Sequence, residues 1–257
     1  MAFEQLTAAN SVAKKRLIAN VQGHDKSGKT FFSLFGCPKP AFYICWDPNG
    51  EEVAKRLVRE HGLDIRIARF AVPEGGDSKD FHTKQWDGFL RTVDDAYRVN
   101  KGTLVVDSFT EVYDAGRLAH FGKLAGVQQR NYGVIYADLN KIINAGYESE
   151  MCVVITHKLA KEYVRQGASA EGVWNGNYIP DGWKNAPYAV QANFECMYDP
   201  ALPGSVADKM RVYVKNNNQA MWMQGWALPE SMGGQPFTQA WFTFEAMLDW
   251  TFSGVEP

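Results

Sequence analysis

Residues 23–30 read Gly-His-Asp-Lys-Ser-Gly-Lys-Thr, a complete G-x-x-x-x-G-K-[ST] loop. Its two glycines allow the backbone to curl until several N–H groups point at one phosphate. Lys29 brings a mobile positive charge to the β- and γ-phosphates, and the hydroxyl of Thr30 can bind Mg²⁺. The motif therefore predicts a nucleoside triphosphate site that takes ATP and Mg²⁺. The residues expected to bind the nucleotide are Gly23, Asp25, Lys26, Ser27, Gly28, Lys29, Thr30 and Phe31.

The run 103–107, Thr-Leu-Val-Val-Asp, has the pattern of a Walker B strand. Its apolar residues favour burial, and Asp107 comes at the carboxyl end of the strand, where a doubly wound sheet places its ligand. A carboxylate at that position can hold Mg²⁺, directly or through water, opposite Thr30. We therefore predict Thr30 and Asp107 as the metal-binding pair.

Hydrolysis also needs a carboxylate that orients the attacking water. Glu51 and Glu52 follow the second predicted strand, and Glu111 follows Asp107, but glutamates in such turns are also ordinary helix-starting residues. Thr156 and His157 lie at the tip of another predicted strand, where one of them senses the γ-phosphate. Alternatively, His157 forms a structural hydrogen bond with the backbone. The predicted catalytic set is Lys29, Glu51 and His157.

Apolar runs alternate with helical periodicity through the first 160 residues, which is typical of a mostly parallel sheet flanked by helices. The predicted strands are 16–22, 41–47, 64–70, 103–107 and 151–156, and the predicted helices are 81–99 and 131–147. Alternation returns at 192–198 and 209–215, and a strand at 220–226 is expected to pair with the latter as an antiparallel hairpin, before a closing helix at 237–252. We predict an α/β fold in a single domain, 1–257.

The composition is that of an ordinary globular protein, with 46% hydrophobic and 22% charged residues. The net charge is -2, so any binding to nucleic acid must use local basic patches. No stretch approaches 18 uncharged apolar residues, and the first residues have no apolar signal region. These features predict a cytoplasmic protein without a membrane partner.

With these residues placed, the chain resembles the RecA-like ATPases and, more narrowly, the phage-encoded single-strand-annealing ATPases of the Sak type. The resemblance covers roughly residues 15–220 and lies in an ordered series of motifs. They are Gly-His-Asp-Lys-Ser-Gly-Lys-Thr (23–30), Trp-Asp-Pro-Asn-Gly-Glu (46–51), Val-Val-Asp-Ser-Phe-Thr (105–110), Asn-Tyr-Gly-Val-Ile-Tyr (131–136), Val-Val-Ile-Thr-His-Lys (153–158) and Arg-Val-Tyr-Val-Lys (211–215).

The resemblance implies a RecA-like P-loop core, Mg²⁺-ATP, single-stranded DNA as partner and a homo-oligomer, either a ring or a filament. It implies two DNA-facing loops at about 114–131 and 158–188, and an intersubunit basic residue at Lys215. Two departures from the family pattern, Asn49 and Asn217, replace an expected acidic and an expected basic residue, and both favour slow hydrolysis. A phage-encoded protein of this kind acts in the cytoplasm of its bacterial host.

Both expected loops carry basic residues of their own. Those expected to contact DNA are Arg117, Lys123, Arg130, Lys158, Lys161 and Arg165. In the second loop they are interleaved with aromatic residues, a combination that suits single strands because charges follow the phosphates while bases stack on rings. Alternatively, the rings of Trp174, Tyr178 and Trp183 hold the loop against its own domain.

Three functions are compatible with these features. The first is a phage recombination protein, a slow DNA-stimulated ATPase that binds single-stranded DNA and promotes annealing or strand exchange. The second is a P-loop small-molecule kinase, although Arg165 is the only arginine between 131 and 210, which argues against an arginine-rich lid. The third is a non-hydrolysing, nucleotide-gated scaffold of a replication complex.

Overall fold

The computed structural model describes residues 16–124, 126, 128–165, 172–201, 209–217 and 227–228. The strands are β1 (Ile18–Gly23), β2 (Ala41–Cys45), β3 (Ile65–Arg69), β4 (Thr103–Asp107), β5 (Cys152–His157), β6 (Leu159–Arg165), β7 (Gly172–Pro180), β8 (Ala192–Tyr198), β9 (Met210–Asn217) and β10 (Ala227–Leu228). The helices are α1 (Lys29–Phe35), α2 (Pro48–His61), α3 (Lys79–Val99), α4 (Phe109–Phe121), α5 (Gly133–Glu148) and α6 (Ala186–Ala189), with a 3-10 turn at Gln129–Tyr132.

The main sheet has the strand order β10-β9-β8-β1-β5-β4-β2-β3. The run from β8 to β3 is parallel, whereas β9 is antiparallel to β8 and β10 is antiparallel to β9. The predicted α/β fold is therefore confirmed: the chain has a mostly parallel sheet flanked by helices, with a carboxy-terminal antiparallel extension. The predicted strand 220–226 and helix 237–252 lie outside the described residues.

Helices cover both faces of the sheet, which explains the nearly continuous apolar character of its central strands. Every residue of β1, β4 and β5 is buried. Residues of α1 and α2 pack on one face, and residues of α3, α4 and α5 pack on the other. The helix boundaries follow local chemistry: α3 starts after Ser78, whose hydroxyl accepts from the amide of Phe81, and ends at Asn100 in the left-handed conformation.

Residues 158–188, expected to form a DNA-facing loop, contain a second small sheet. β6 and β7 form an antiparallel hairpin, and the short α6 follows it. Residues 172–178 of β7 are all exposed. A strand without a buried face needs no alternation of polar and apolar residues, so its sequence lacks the period on which strand prediction depends.

The first expected loop, 114–131, also differs, because α4 continues to Phe121. α4 runs antiparallel to α3, with Thr83 bonded to the carbonyl of Ala119 and Gly122 beside Lys79. The connection from 122 to 132 therefore leaves near the start of α3, at the end of the sheet where the parallel strands finish. Within the described residues, no helix is long and apolar enough to cross a membrane.

Candidate functional site

The carboxyl ends of β1, β5 and β4 bring the predicted phosphate loop and Asp107 together. β1 and β5 pair in parallel with Gln22 opposite His157, and β5 and β4 pair with Ile155 opposite Val106. Because the strands are parallel neighbours, the residues that follow them emerge side by side at one edge of the sheet.

Thr30 and Asp107, the pair predicted to bind the metal, are in direct contact. The Thr30 hydroxyl donates to Asp107 Oδ2 over 2.7 Å. Two further hydroxyls donate to the same carboxylate, Tyr43 to Oδ2 over 2.9 Å and Thr156 to Oδ1 over 2.5 Å. Burial raises the pKa of the Tyr43 phenol, so this group stays a proton donor. The carboxylate of Asp107 is therefore held by donors from one helix, α1, and two strands, β2 and β5.

Lys29 lies within the loop and bonds to its backbone. Its ammonium donates to the carbonyls of Gly23, at 2.8 Å, and His24, at 2.7 Å. Burial lowers the pKa of Lys29, and nearby Lys158 lowers it further, whereas Asp107 and Asp25 oppose the shift. A phosphate placed at this ammonium would relieve the cost of burying it.

The glycines of the loop are required by close contacts and backbone conformation. A Cβ at Gly23 would lie 2.4 Å from both the Ser27 hydroxyl and the carbonyl of Cys196, and Gly28 has φ 93°.

Asp25 and Lys26 are exposed. The buried hydroxyl of Ser27 has no hydrogen-bond partner among the described residues. The loop thus offers a donor to a ligand, and Thr30 with Asp107 offers the oxygen atoms that Mg²⁺ prefers. The residues present fit Mg²⁺-nucleotide.

Glu51, the predicted water-orienting residue, forms ion pairs within and beside α2. Its carboxylate lies 2.8 Å from Arg69 and 2.9 Å from Lys55. Hydrogen bonds from Arg69 and then Lys55 lower the pKa of Glu51 to about 2. Neither partner belongs to the phosphate loop. The neighbouring Gly50 lies closer to the site, since a Cβ there would be 3.0 Å from Asp107 Oδ2. A catalytic role of Glu51 stays a prediction.

His157 is the last residue of β5 and is fully buried. Its Nδ1 lies 2.6 Å from Asn20 Oδ1, and its ring packs against Phe109. Burial lowers the pKa of His157 to about 3, so the imidazole is neutral near neutral pH. The sequence allowed a structural hydrogen bond from His157 to the backbone. The structure has a structural hydrogen bond, but its partner is the side chain of Asn20. Phosphate sensing by His157 stays a prediction.

An ion pair that sequence reasoning missed lies beside Asp107. Lys158 Nζ is 2.5 Å from Glu111 Oε1, and the Ser108 hydroxyl contacts the other oxygen of Glu111. The amide of Lys158 also donates to the hydroxyl of Thr110 over 3.1 Å. From the sequence, Glu111 is a candidate for the water-orienting carboxylate, and Lys158 is an expected DNA contact. Nothing in their spacing indicates that they form a pair.

The hairpin of β6 and β7 presents a basic and aromatic face, formed by Lys161, Tyr163, Trp174 and Tyr178. Lys161 pairs across the strands with Tyr178, and Tyr163 pairs with Trp174. The Lys161 ammonium lies 4.8 Å from the centre of the Trp174 ring, and Tyr163 is 61% exposed. Trp183, by contrast, is buried. Of the three rings expected either to bind DNA or to hold the loop in place, Trp183 does the latter.

The hairpin also contacts the phosphate loop. The rings of Tyr178 and His24 meet edge to face, with centroids 4.6 Å apart. Because Tyr178 is 40% exposed, one ring borders both the phosphate loop and the hairpin surface.

The other predicted basic residues differ in their surroundings. Arg117 is paired with Asp114 at 3.1 Å and lies over the rings of Tyr113 and Tyr132. Lys123 and Arg130 are exposed. Arg165 ends β6, and its side chain is outside the described part of the structure. Lys215 on β9 is paired with Glu195 at 3.1 Å.

No protein-family model and no curated protein sequence matches this chain. Among solved structures, the chain is similar to an ATPase from the type III secretion system of pathogenic bacteria, with a TM-score of 0.46 and 11% sequence identity over 70% of this chain. This chain spans 50% of the length of that structure. A likeness this remote carries no inference about activity, which has to be argued from the site itself.

Proposed function

We propose that this protein is an ATP-binding, slowly hydrolysing member of the RecA-like ATPases that binds single-stranded DNA in phage recombination and promotes annealing or strand exchange. The observation that carries the nucleotide part is the 2.7 Å hydrogen bond between Thr30 and Asp107, beside a complete phosphate-binding loop. Few other uses explain why a buried carboxylate, a loop lysine and a threonine hydroxyl converge at this edge of the sheet.

Mg²⁺ would be held by Thr30 and Asp107 and would neutralise charge on the β- and γ-phosphates. Lys29 would exchange the carbonyls of Gly23 and His24 for phosphate oxygens. This exchange is favourable because a charged acceptor makes a stronger hydrogen bond than a carbonyl does. Ser27, with its buried hydroxyl, would donate to the same phosphates.

The hairpin face supports the proposal of single-stranded DNA as partner. Exposed rings at Tyr163, Trp174 and Tyr178 can stack with bases, and Lys161 can pair with a phosphate between them. Arg165 follows on the same strand. Lys123 and Arg130 lie in the connection that leaves the same end of the sheet. Recognition by stacking is tolerant of sequence, as annealing requires.

Assembly into a ring or filament follows from the small size of this surface. One hairpin can contact only a few nucleotides, and useful affinity then needs several subunits bound along one strand. Lys215, half exposed on β9, is proposed to face the nucleotide of a neighbouring subunit.

The test is titration of Mg²⁺-ATP by calorimetry, followed by ATP turnover with and without a single-stranded oligonucleotide. We expect nucleotide binding, slow turnover and an increase of turnover with DNA. Lys29→Met serves as the inactive control. Binding of ATP without any response to DNA would remove the DNA part of the proposal, and absence of ATP binding would remove all of it.

A non-hydrolysing scaffold is the second candidate, and one observation favours it. Glu51 is held in two ion pairs by Arg69 and Lys55, so it is not poised to orient water in this state. Tight ATP binding without phosphate release, whether or not DNA is present, would identify the scaffold.

A further inference from the structure

The ion pair of Glu111 and Lys158 lies at the phosphate site. Lys158 directly follows His157, which is opposite Gln22 in the parallel pairing of β5 with β1. Lys158 therefore emerges next to Gly23, the first residue of the phosphate loop, at the spacing of adjacent strands. On its other side, Glu111 lies in the first turn of α4, four residues after Asp107.

Electrostatics place the same ammonium near the loop. Burial alone would lower the pKa of Lys158, but the bond to Glu111 raises it, and Asp25 and Asp47 raise it further. Asp25 belongs to the phosphate loop, and Asp47 caps α2 beside Gly50. Lys158 also lowers the pKa of Lys29. Two ammonium groups that repel each other in this way can both be satisfied by a polyanion placed between them.

The backbone of Lys158 is held by hydrogen bonds, whereas its side-chain ammonium can pair either with Glu111 or with a phosphate. The Lys158 amide donates to Thr110 Oγ1 over 3.1 Å, and its carbonyl accepts from the amide of Asp181 over 2.8 Å. Thr110 in turn donates to the carbonyl of Asp181. This network anchors the base of the hairpin to the start of α4. The side chain is held by Glu111, and an ammonium can exchange one anionic oxygen for another without movement of the chain.

We propose that Lys158 distinguishes the triphosphate from the diphosphate, and that Glu111 is a positioning residue that holds Lys158 when no terminal phosphate is present. This inference rests on the proposed nucleotide site. A γ-phosphate competes with Glu111 for the ammonium, and the released carboxylate lies close to the site, where it can orient water. Because Lys158 immediately precedes β6, the exchange occurs at the base of the hairpin that we propose to contact DNA.

Three variants separate these roles: Lys158→Met, Glu111→Gln and the double variant. Lys141→Met is the matched control, since Lys141 is an exposed lysine on α5 that, like Lys158, is paired with a carboxylate, in this case Asp138 at 3.1 Å. The ligands are Mg²⁺-ADP and the Mg²⁺ complex of a non-hydrolysable ATP analogue, adenylyl imidodiphosphate. Dissociation constants are measured by calorimetry for each protein and each ligand.

We expect Lys158→Met to weaken binding of the triphosphate analogue by about tenfold or more and to change ADP binding by less than about twofold, because a charged hydrogen bond to one phosphate is lost. Glu111→Gln should strengthen binding of the analogue, since the competing anion is removed. The double variant should behave as Lys158→Met does, because Glu111 acts through Lys158. Lys141→Met should leave both constants unchanged.

The inference is overturned if Lys158→Met weakens binding of both nucleotides equally, or of neither. It is also overturned if Glu111→Gln weakens binding of the analogue. Thermal melting of each variant comes first, and Lys158→Gln replaces Lys158→Met if the latter does not fold. Lys158→Arg, which keeps the charge, should retain the preference for the triphosphate. If the unaltered protein binds neither nucleotide, the proposed function itself fails, so the two failures are distinguishable.

Discussion

Thr30 and Asp107, 77 residues apart in the chain, are joined by a hydrogen bond of 2.7 Å, and the same carboxylate also accepts from Tyr43 and Thr156. From the sequence alone, Asp107 is predicted to bind Mg²⁺ opposite Thr30. The structure adds a second role, because all three donors are directed at a site with little access to water.

Asp107→Ala is therefore expected to destabilise the protein as well as to impair Mg²⁺-dependent turnover. Loss of the acceptor leaves buried hydroxyls unpaired, which costs about 1–3 kcal/mol for each donor that finds no new partner. Asp107→Asn keeps an acceptor of the same shape and should lose less stability while still losing turnover. Urea unfolding and phosphate release measure the two effects. Equal stability of Asp107→Ala and the unaltered protein would contradict this view of the site.

Lys29→Met should abolish binding of ATP and leave the protein folded. Within the part of the chain that the structure describes, the ammonium bonds to the loop carbonyls of Gly23 and His24, and burying it has a cost that methionine avoids. Calorimetry measures binding, and circular dichroism measures folding. Lys84→Met is the matched control, because Lys84 is an exposed lysine on α3, paired with Asp80. An unfolded Lys29→Met protein beside a folded Lys84→Met protein would show that Lys29 is primarily structural.

The fold could be predicted because burial requires apolar residues in a pattern that is visible in the sequence. Strands β1, β4 and β5 are buried on both faces and are mostly apolar, and α3 and α5 carry one apolar face. The hairpin of β6 and β7 was not predictable in this way. Its cross-strand contacts, such as Tyr163 with Trp174, form on an exposed surface and impose no alternation.

The parts of the site that recognisable motifs mark could be predicted, whereas contacts between segments without a motif could not. The loop 23–30 and the strand before Asp107 specify the contact of Thr30 with Asp107. The approach of Tyr43 and Lys158 depends on the order of strands in the sheet, which no local pattern encodes. The same limit applies to Glu51, whose ion pair with Arg69 joins α2 to the edge strand β3.

Trp174→Ala and Lys161→Ala should weaken binding of single-stranded DNA in different ways. Loss of a stacking ring costs about 1–3 kcal/mol at any salt concentration. Loss of one phosphate contact reduces the slope of log K against log salt by about 0.7 for a single strand. Fluorescence anisotropy with a labelled oligonucleotide over a range of salt concentrations measures both terms.

The matched control for the ring is Tyr188→Ala, because Tyr188 is 88% exposed and lies outside the hairpin, on α6. If Tyr188→Ala weakens DNA binding as much as Trp174→Ala does, the contact surface is not confined to the hairpin. An unchanged salt slope in Lys161→Ala would exclude Lys161 as a phosphate contact.

His157 should make the protein sensitive to acid. Burial lowers the pKa of His157 to about 3 in the folded chain, whereas an unfolded chain has an ordinary histidine pKa of about 6.5. The folded state therefore binds fewer protons between these values, and its stability falls as the pH falls below about 6.5. By pH 5 the loss from this residue is about 2 kcal/mol.

His157→Gln removes the titrating group and keeps a donor for Asn20 Oδ1, so it should flatten the pH dependence of unfolding between pH 6.5 and pH 5. The free energy of unfolding in urea, measured at several pH values, provides the test. His61→Gln is the control, since His61 is exposed at the end of α2. A slope equally steep in the His157→Gln protein would mean that other groups cause the acid sensitivity, because a neutral glutamine cannot take up the proton that the unfolded histidine binds.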